Sequence, residues 1–203
     1  MTSNYSGNRP FRFAISGIHG SGKTTLCHAV VARLRESGLN AVVAPESARQ
    51  SLLLAGRHLS IEMEIEVLGL QIAEEMRAGL SAQIVVGDRS VIDTYAYSLA
   101  RFSELDARGC SFMDAIFDFG RSYVKTYDLI FYLPVRAFPK TMNDALRDTD
   151  PVVDLEVLSG FEKAFSGWNV DAIQLEPNRA VEAIIQNIEN TYKKNSIVSE
   201  VNS

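Results

Sequence analysis

Gly17-Ile18-His19-Gly20-Ser21-Gly22-Lys23-Thr24 is the stretch that decides the fold. It has the form G-x-x-x-x-G-K-[ST], the P-loop pattern. Its glycines let backbone N–H groups curl around phosphate oxygens at φ/ψ values a side chain would forbid. Lys23 can reach the β/γ-phosphates of a nucleotide, and the Thr24 hydroxyl can ligate Mg²⁺. The pattern needs a strand before it and a helix after it. Phe11 to Ser16 is a short, partly alternating apolar run. Thr25 to Glu36 places Leu26, Ala29, Val30 and Leu34 close to helical spacing, and Ser37-Gly38 is a stop. A helix starting at Lys23 adds its positive dipole end to the phosphate site.

Outward from this loop, strands alternate with helices. Ala41–Ala44, Ile84–Gly87, Leu129–Leu133 and Asp171–Leu175 read as further strands. The intervening stretches 51–54, 61–80, 91–102, 112–125, 154–165 and 179–194 read as helices, with Ser60 as the N-cap of the second. Buried apolar strands separated by helices predict an α/β fold with a five-stranded parallel sheet and right-handed crossovers, in which ligands sit at the carboxyl ends of the strands. One domain spanning 1–203 is expected, with loose termini at about 1–9 and 195–203.

Composition narrows the function. The chain has 203 residues, 46% of them hydrophobic, which is enough for a substantial single core. A formal net charge of −5 gives no broad basic face, so binding to nucleic acid is disfavoured. Two cysteines are too few for a disulfide framework, and together with three scattered histidines they make no zinc site. No signal peptide or membrane span is visible, so a cytoplasmic protein is expected; a homodimer is compatible with the sequence.

Charged residues follow each expected strand, on loops that converge beside the P-loop. Glu46 and Arg49 follow the second strand. Glu46 can accept the proton of an attacking hydroxyl, bind a sugar hydroxyl, or complement a helix dipole. Arg49, one helical turn on, can hold a substrate phosphate or pair with Glu46. Asp88 ends the third strand, where a Walker-B-type carboxylate holds Mg²⁺; capping the next helix is an alternative or additional role. Arg89 can bridge to a phosphate with its planar fork, or be a solvated surface side chain. Residues 136–150, with Arg136, Lys140 and Arg147, read as a lid that closes over the γ-phosphate. His19 sits where many side chains are tolerated and is assigned no chemistry. Trp168 reads as packing, and the stretch from Tyr95 and Tyr97 to Phe119 as core, with one or two rings available to stack on a base.

At these residues the chain resembles P-loop nucleoside and nucleotide kinases, chiefly the thymidylate kinase and deoxynucleoside kinase group, and AAA-type ATPases similar to ribosylnicotinamide kinases. Gly17-x-x-Gly20-x-Gly22-Lys23-Thr24-Thr25, Pro45-Glu46-x-x-Arg49, Asp88-Arg89-Ser90, the strand from Tyr127 to Leu133 and Arg147-x-x-Asp150 carry the likeness. The Glu-Pro-Gly-like turn of thymidylate kinases is absent. The resemblance implies a P-loop NTPase fold and transfer of the γ-phosphoryl of ATP to a nucleoside, nucleotide or similar small acceptor. ATP then lies on Gly17, Gly20, Ser21, Gly22, Lys23, Thr24 and Thr25, with Mg²⁺ on Thr24 and Asp88. Glu46, Arg49 and Arg89 face the acceptor: Glu46 and Arg89 as base and charged partner for a nucleoside, or as phosphate contacts for a nucleotide. Lys23, Glu46, Asp88, Arg89 and Arg147 are the expected catalytic set. The rival readings are a regulatory ATPase that switches a protein partner, and a kinase acting on a hydroxylated base or end of a nucleic acid.

Overall fold

The computed structural model of the chain describes residues 9–56, 58–102, 105–134 and 151–201. The elements run β1 (Phe11–Gly17), α1 (Lys23–Glu36), β2 (Ala41–Ala44), α2 (Leu52–Ala55), α3 (Ile61–Gly79), β3 (Ile84–Asp88), α4 (Val91–Arg101), α5 (Ala107–Tyr123), β4 (Leu129–Leu133), α6 (Pro151–Trp168), β5 (Ile173–Gln174) and α7 (Ala180–Val201). Short 3₁₀ turns fill Ser47–Gln50, Val124–Thr126 and Pro177–Arg179. The five strands are all parallel, in the order β2-β3-β1-β4-β5. β1 is central, so the loop that follows it leaves the middle of the sheet with β3 on one side and β4 on the other. Register sets Ile15 beside Asp88, which brings the end of β3 level with the start of the P-loop.

Both faces of the sheet are covered, which is why its inner strands are largely apolar. On one face Phe13, Ile15, Ile84, Val86 and Phe131 pack on Val30, Leu34, Ile184 and Ile188 of α1 and α7. On the other, Ala14 and Ile130 meet α3, α4, α5 and α6 through Leu68, Ile92, Ile116 and Phe161. Trp168 belongs to this second core and lies against the rings of Tyr95 and Phe117.

Several boundaries differ from the sequence expectation, for local reasons. α5 begins at Ala107 rather than near Phe112, because the Asp106 side chain accepts the Gly109 N–H at 2.8 Å and caps the helix a turn early. α6 runs from Pro151 to Trp168, beyond the expected 154–165; proline's fixed φ suits a first helical turn. β5 shrinks to two residues at the sheet edge, although the Leu175 N–H still donates to the Tyr132 carbonyl at 2.9 Å. α7 continues to Val201, past the expected end at Lys194 and into the terminus expected to be loose. The expected lid at 136–150, with Arg136, Lys140 and Arg147, lies outside the described residues.

α4 and α6 cross in close contact, and Gly160 sits at the crossing. A Cβ there would stand 2.7 Å from the Ala96 carbonyl oxygen and 2.8 Å from its Cα, and this is backbone that cannot swing aside. Gly160→Ala should therefore force the two helices apart and destabilise the fold by roughly 1–3 kcal/mol. A urea unfolding midpoint equal to that of the unaltered protein would show that the crossing has slack.

Candidate active site

The P-loop closes around its own lysine. Gly20 and Gly22 take φ of 73° and 89°, and Gly22, at the N-cap of α1, turns the chain into the helix. Lys23 is buried, and its Nζ donates to the carbonyls of Gly17 and Ile18 at 2.7 and 2.8 Å. Burial lowers its pKa to about 8, with Arg89 adding to the effect and Asp93 and Asp88 opposing it.

One residue on, Thr24 meets the end of β3. Its hydroxyl donates to Asp88 Oδ2 at 2.6 Å, while Asp88 Oδ1 is buried without a hydrogen-bond partner among the described residues. Burial raises the Asp88 carboxyl above its ordinary range, and the Thr24 bond pulls it back. An orphaned buried carboxylate oxygen beside a hydroxyl is a donor set that fits a hard divalent cation such as Mg²⁺. Thr24 and Asp88 are the residues that would hold it. Bound there, such an ion would offset phosphate charge. Asp88 is not the cap of the following helix. Ser90 fills that position, its hydroxyl accepting the Ile92 N–H while Asp93 accepts the Ser90 N–H, a reciprocal capping box.

Arg89 is the pivot of the acceptor side. Its side chain is 10% exposed, which overturns the reading of a solvated arginine. Nε donates to Glu46 Oε1 at 2.7 Å, a second nitrogen reaches His19 Nδ1 at 2.9 Å, and a third lies 3.6 Å from Asp93. The guanidinium carbon stands 5.4 Å from the centre of the Tyr97 ring. A guanidinium only donates, so His19 Nδ1 accepts and the ring proton sits on Nε2. Burial opposes the Arg89 charge, and Glu46, Tyr97 and Asp93 more than offset it. The backbone of Arg89 has φ 91°, a left-handed conformation unusual for a side-chain-bearing residue. It is braced on both sides: its N–H donates to the Ile15 carbonyl at 3.2 Å, and its carbonyl accepts from Gln71 Nε2 at 3.2 Å. Glu46 also takes a bond from Arg49 at 3.2 Å, so the Glu46–Arg49 pair foreseen as one reading is present.

Gly20, Gly22, Lys23, Thr24, Thr25, Glu46, Arg49, Asp88 and Arg89 all line one cavity of about 180 Å³. Gly17 and Ser21 stand behind it, in contact with Lys23 Nζ. Arg147 lies outside the described residues. Sequence reasoning missed Asp93, Glu64 and Arg101 and gave His19 no role, and all four line the cavity. A signal existed for part of this set. Ser90-x-x-Asp93 is a legible capping box, and Asp93, Tyr97 and Arg101 follow one another at helical spacing of four. Glu64 carried no such mark.

Burial alone would raise the Glu46 carboxyl, but Arg89 overrides it and holds the pKa at about 2 against an ordinary 4.5. A folded pKa below the unfolded one means that the stabilisation is present above about pH 4.5 and is lost as the pH falls towards 2. The stability difference between the unaltered protein and Glu46→Gln should accordingly be constant near neutrality and close over that window. Chemical denaturation across the pH range measures it, and a difference that ignores pH would mean the ion pair adds nothing.

Comparison with curated protein sequences gives no match. Among solved structures the fold aligns with deoxyadenosine kinase from M. mycoides with bound dATP at a TM-score of 0.63 and 15% identity, over 88% of this chain and 99% of that one. Thymidylate kinase from Candida albicans aligns at 0.62 and 14% identity, over 91% of this chain and 93% of that one. Thymidylate kinase from Ehrlichia chaffeensis aligns at 0.62 and 17% identity, over 89% and 100%. The chain therefore shares the fold of these P-loop kinases. A family model described as an AAA domain matches residues 12–182, from β1 into α7, and the chain belongs to that family.

Proposed function

We propose that this protein is an ATP-dependent phosphotransferase acting on a nucleoside, nucleotide or related small acceptor. The observation that carries the reading is one cavity with two chemically distinct walls. Lys23, Thr24 and Asp88 form a wall suited to the phosphates of ATP and to Mg²⁺; Glu46 and Arg89, on loops after β2 and β3, line the same cavity as an ion pair. Phosphoryl transfer needs charge stabilisation and in-line positioning more than covalent help from the protein. Lys23 offers charge at the β/γ-phosphates. Arg89, fixed by four neighbours, offers a rigid guanidinium where acceptor and phosphoryl group meet. The deoxyadenosine and thymidylate kinases that share the fold support the same reaction class.

ATP consumption measured with a panel of nucleosides and nucleoside monophosphates, with product identified by mass, tests the reading. Turnover should be slow without acceptor and rise with the right one. Fast hydrolysis indifferent to every small acceptor but raised by a protein partner would favour a regulatory ATPase instead. Lys23→Ala should lower kcat by at least about 100-fold while the variant remains folded by circular dichroism. Asp88→Asn should retain the fold and lose most of the Mg²⁺ dependence of ATP binding in a fluorescent-nucleotide titration. Near-normal turnover in folded Lys23→Ala would remove the P-loop from the reaction.

A further inference from the structure

Past Arg89 the cavity continues between α3 and α4, where Leu54, Val67 and the Tyr97 ring give it apolar walls. Its charged groups there are Glu64 and Arg101, whose side chains are 3% and 17% exposed and meet at 2.6 Å. The Arg101 guanidinium stands 5.3 Å from the centre of the Tyr97 ring, the same ring that Arg89 approaches. The bond runs from Arg101 Nη1 to Glu64 Oε1. A buried ion pair of this kind is a poor source of stability, because desolvating both ions cancels most of their attraction. Its place on the wall of a ligand cavity suggests a different use.

The charges of this half of the cavity balance. Arg49, Arg89 and Arg101 stand against Glu46, Glu64 and Asp93, with contacts of 3.2 Å (Arg49–Glu46), 2.7 Å (Arg89–Glu46), 3.6 Å (Arg89–Asp93) and 2.6 Å (Arg101–Glu64). Lys23 lines the P-loop end of the same cavity, its Nζ held by the carbonyls of Gly17 and Ile18. No positive charge is left over on the described walls of the acceptor half for an acceptor that brings negative charge. Helix termini do not supply the deficit either: the N-terminus of α1 backs the P-loop, and that of α4 is closed by the Ser90–Asp93 box. A phosphate monoester carries about two negative charges near neutral pH. In this pocket it would have to break an existing pair or sit against Glu46 and Glu64.

Building on the phosphotransfer reading above, we propose that the acceptor is an uncharged, nucleoside-like hydroxyl compound, and that the Glu64–Arg101 pair is a specificity determinant that turns away acceptors already bearing phosphate. The reaction then balances simply. The acceptor oxygen bonds to the γ-phosphorus, and the bond from that phosphorus to the bridging oxygen breaks, its electron pair leaving on ADP. The hydroxyl proton passes to the Glu46 carboxylate and on to solvent. A phosphate acceptor has no such proton to give, and for it Glu46 is only a like charge. The apolar walls and the Tyr97 ring suit the flat base of a nucleoside.

The test compares adenosine, guanosine, cytidine, uridine, thymidine and their deoxy forms with the matching 5′-monophosphates, under saturating ATP and Mg²⁺. The preferred nucleoside should exceed its monophosphate in kcat/KM by at least about 100-fold, the scale of a like-charge penalty in a buried site. Glu64→Gln, which leaves Arg101 uncompensated, should narrow that ratio by about tenfold, and Arg101→Gln should widen it by a similar factor. Equilibrium ATP binding reports whether each variant is folded. A purely structural pair would lower both acceptors together and leave the ratio alone, and that result overturns the assignment of Glu64 and Arg101. Preference for a monophosphate by the unaltered protein overturns the neutral acceptor while leaving phosphotransfer standing. No turnover of any acceptor by protein that binds ATP overturns the phosphotransfer reading and this inference with it.

Discussion

A guanidinium buried at the carboxyl end of β3 organises the candidate site. Arg89 cannot sit there alone, since an uncompensated charge away from water costs several kcal/mol. Its compensating groups come from three different elements: Glu46 from the turn after β2, His19 from the P-loop, Asp93 and Tyr97 from α4. The need to satisfy one cation thus draws three strand-end loops and a helix to one point. The strained φ of 91° fits the same account, since the braces from Ile15 and Gln71 hold the backbone in a conformation the residue would not choose. Gln71 ties this brace deeper into the core, donating also to Glu75 at 2.7 Å, and Glu75 accepts from the hydroxyls of Tyr123 and Tyr127.

Burial and charge therefore act against each other across the cavity, and ion pairing resolves the conflict. Burial pushes the Glu64 carboxyl up and Arg101 pulls it back, whereas at Glu46 the pull of Arg89 prevails outright. Pairs of this sort fix direction and register better than they add stability. A site made of them is rigid before any ligand enters, which suits a reaction in which preorganised charge is the main contribution.

The sequence made the frame legible because its signals are local. The P-loop spacing, the apolar run of β4, the Ser60 cap and the acidic and basic residues that follow β2 and β3 depend on near neighbours, and the fold uses them as read. The partnerships of Arg89 are not local: Glu46 lies 43 residues away and His19 lies 70. The polar members of α4 were legible only in part, for another reason. In Val91–Arg101 the residues Ile92, Ala96 and Tyr97 mark a core helix, and only the position of its N-terminus at the end of β3 turns Asp93, Tyr97 and Arg101 toward the cavity. The early start of α5 at Ala107 rests on its cap, in which Asp106 accepts the N–H of Gly109.

The two halves of the site are joined by one carboxylate. Asp93 Oδ2 accepts the Ser90 N–H at 3.0 Å and so closes the cap of α4, while Oδ1 accepts the N–H of Gly17, the first residue of the P-loop, at 3.2 Å. A second link runs alongside, from the His19 N–H to the Tyr97 hydroxyl at 2.8 Å. The P-loop is thereby hydrogen-bonded to the helix whose next turns carry Tyr97 and Arg101. Moving α4 would strain the phosphate loop, and reshaping the loop would disturb the helix cap. The wall that would hold ATP and the wall that would face the acceptor are parts of one hydrogen-bonded body, which fixes their separation as in-line transfer requires.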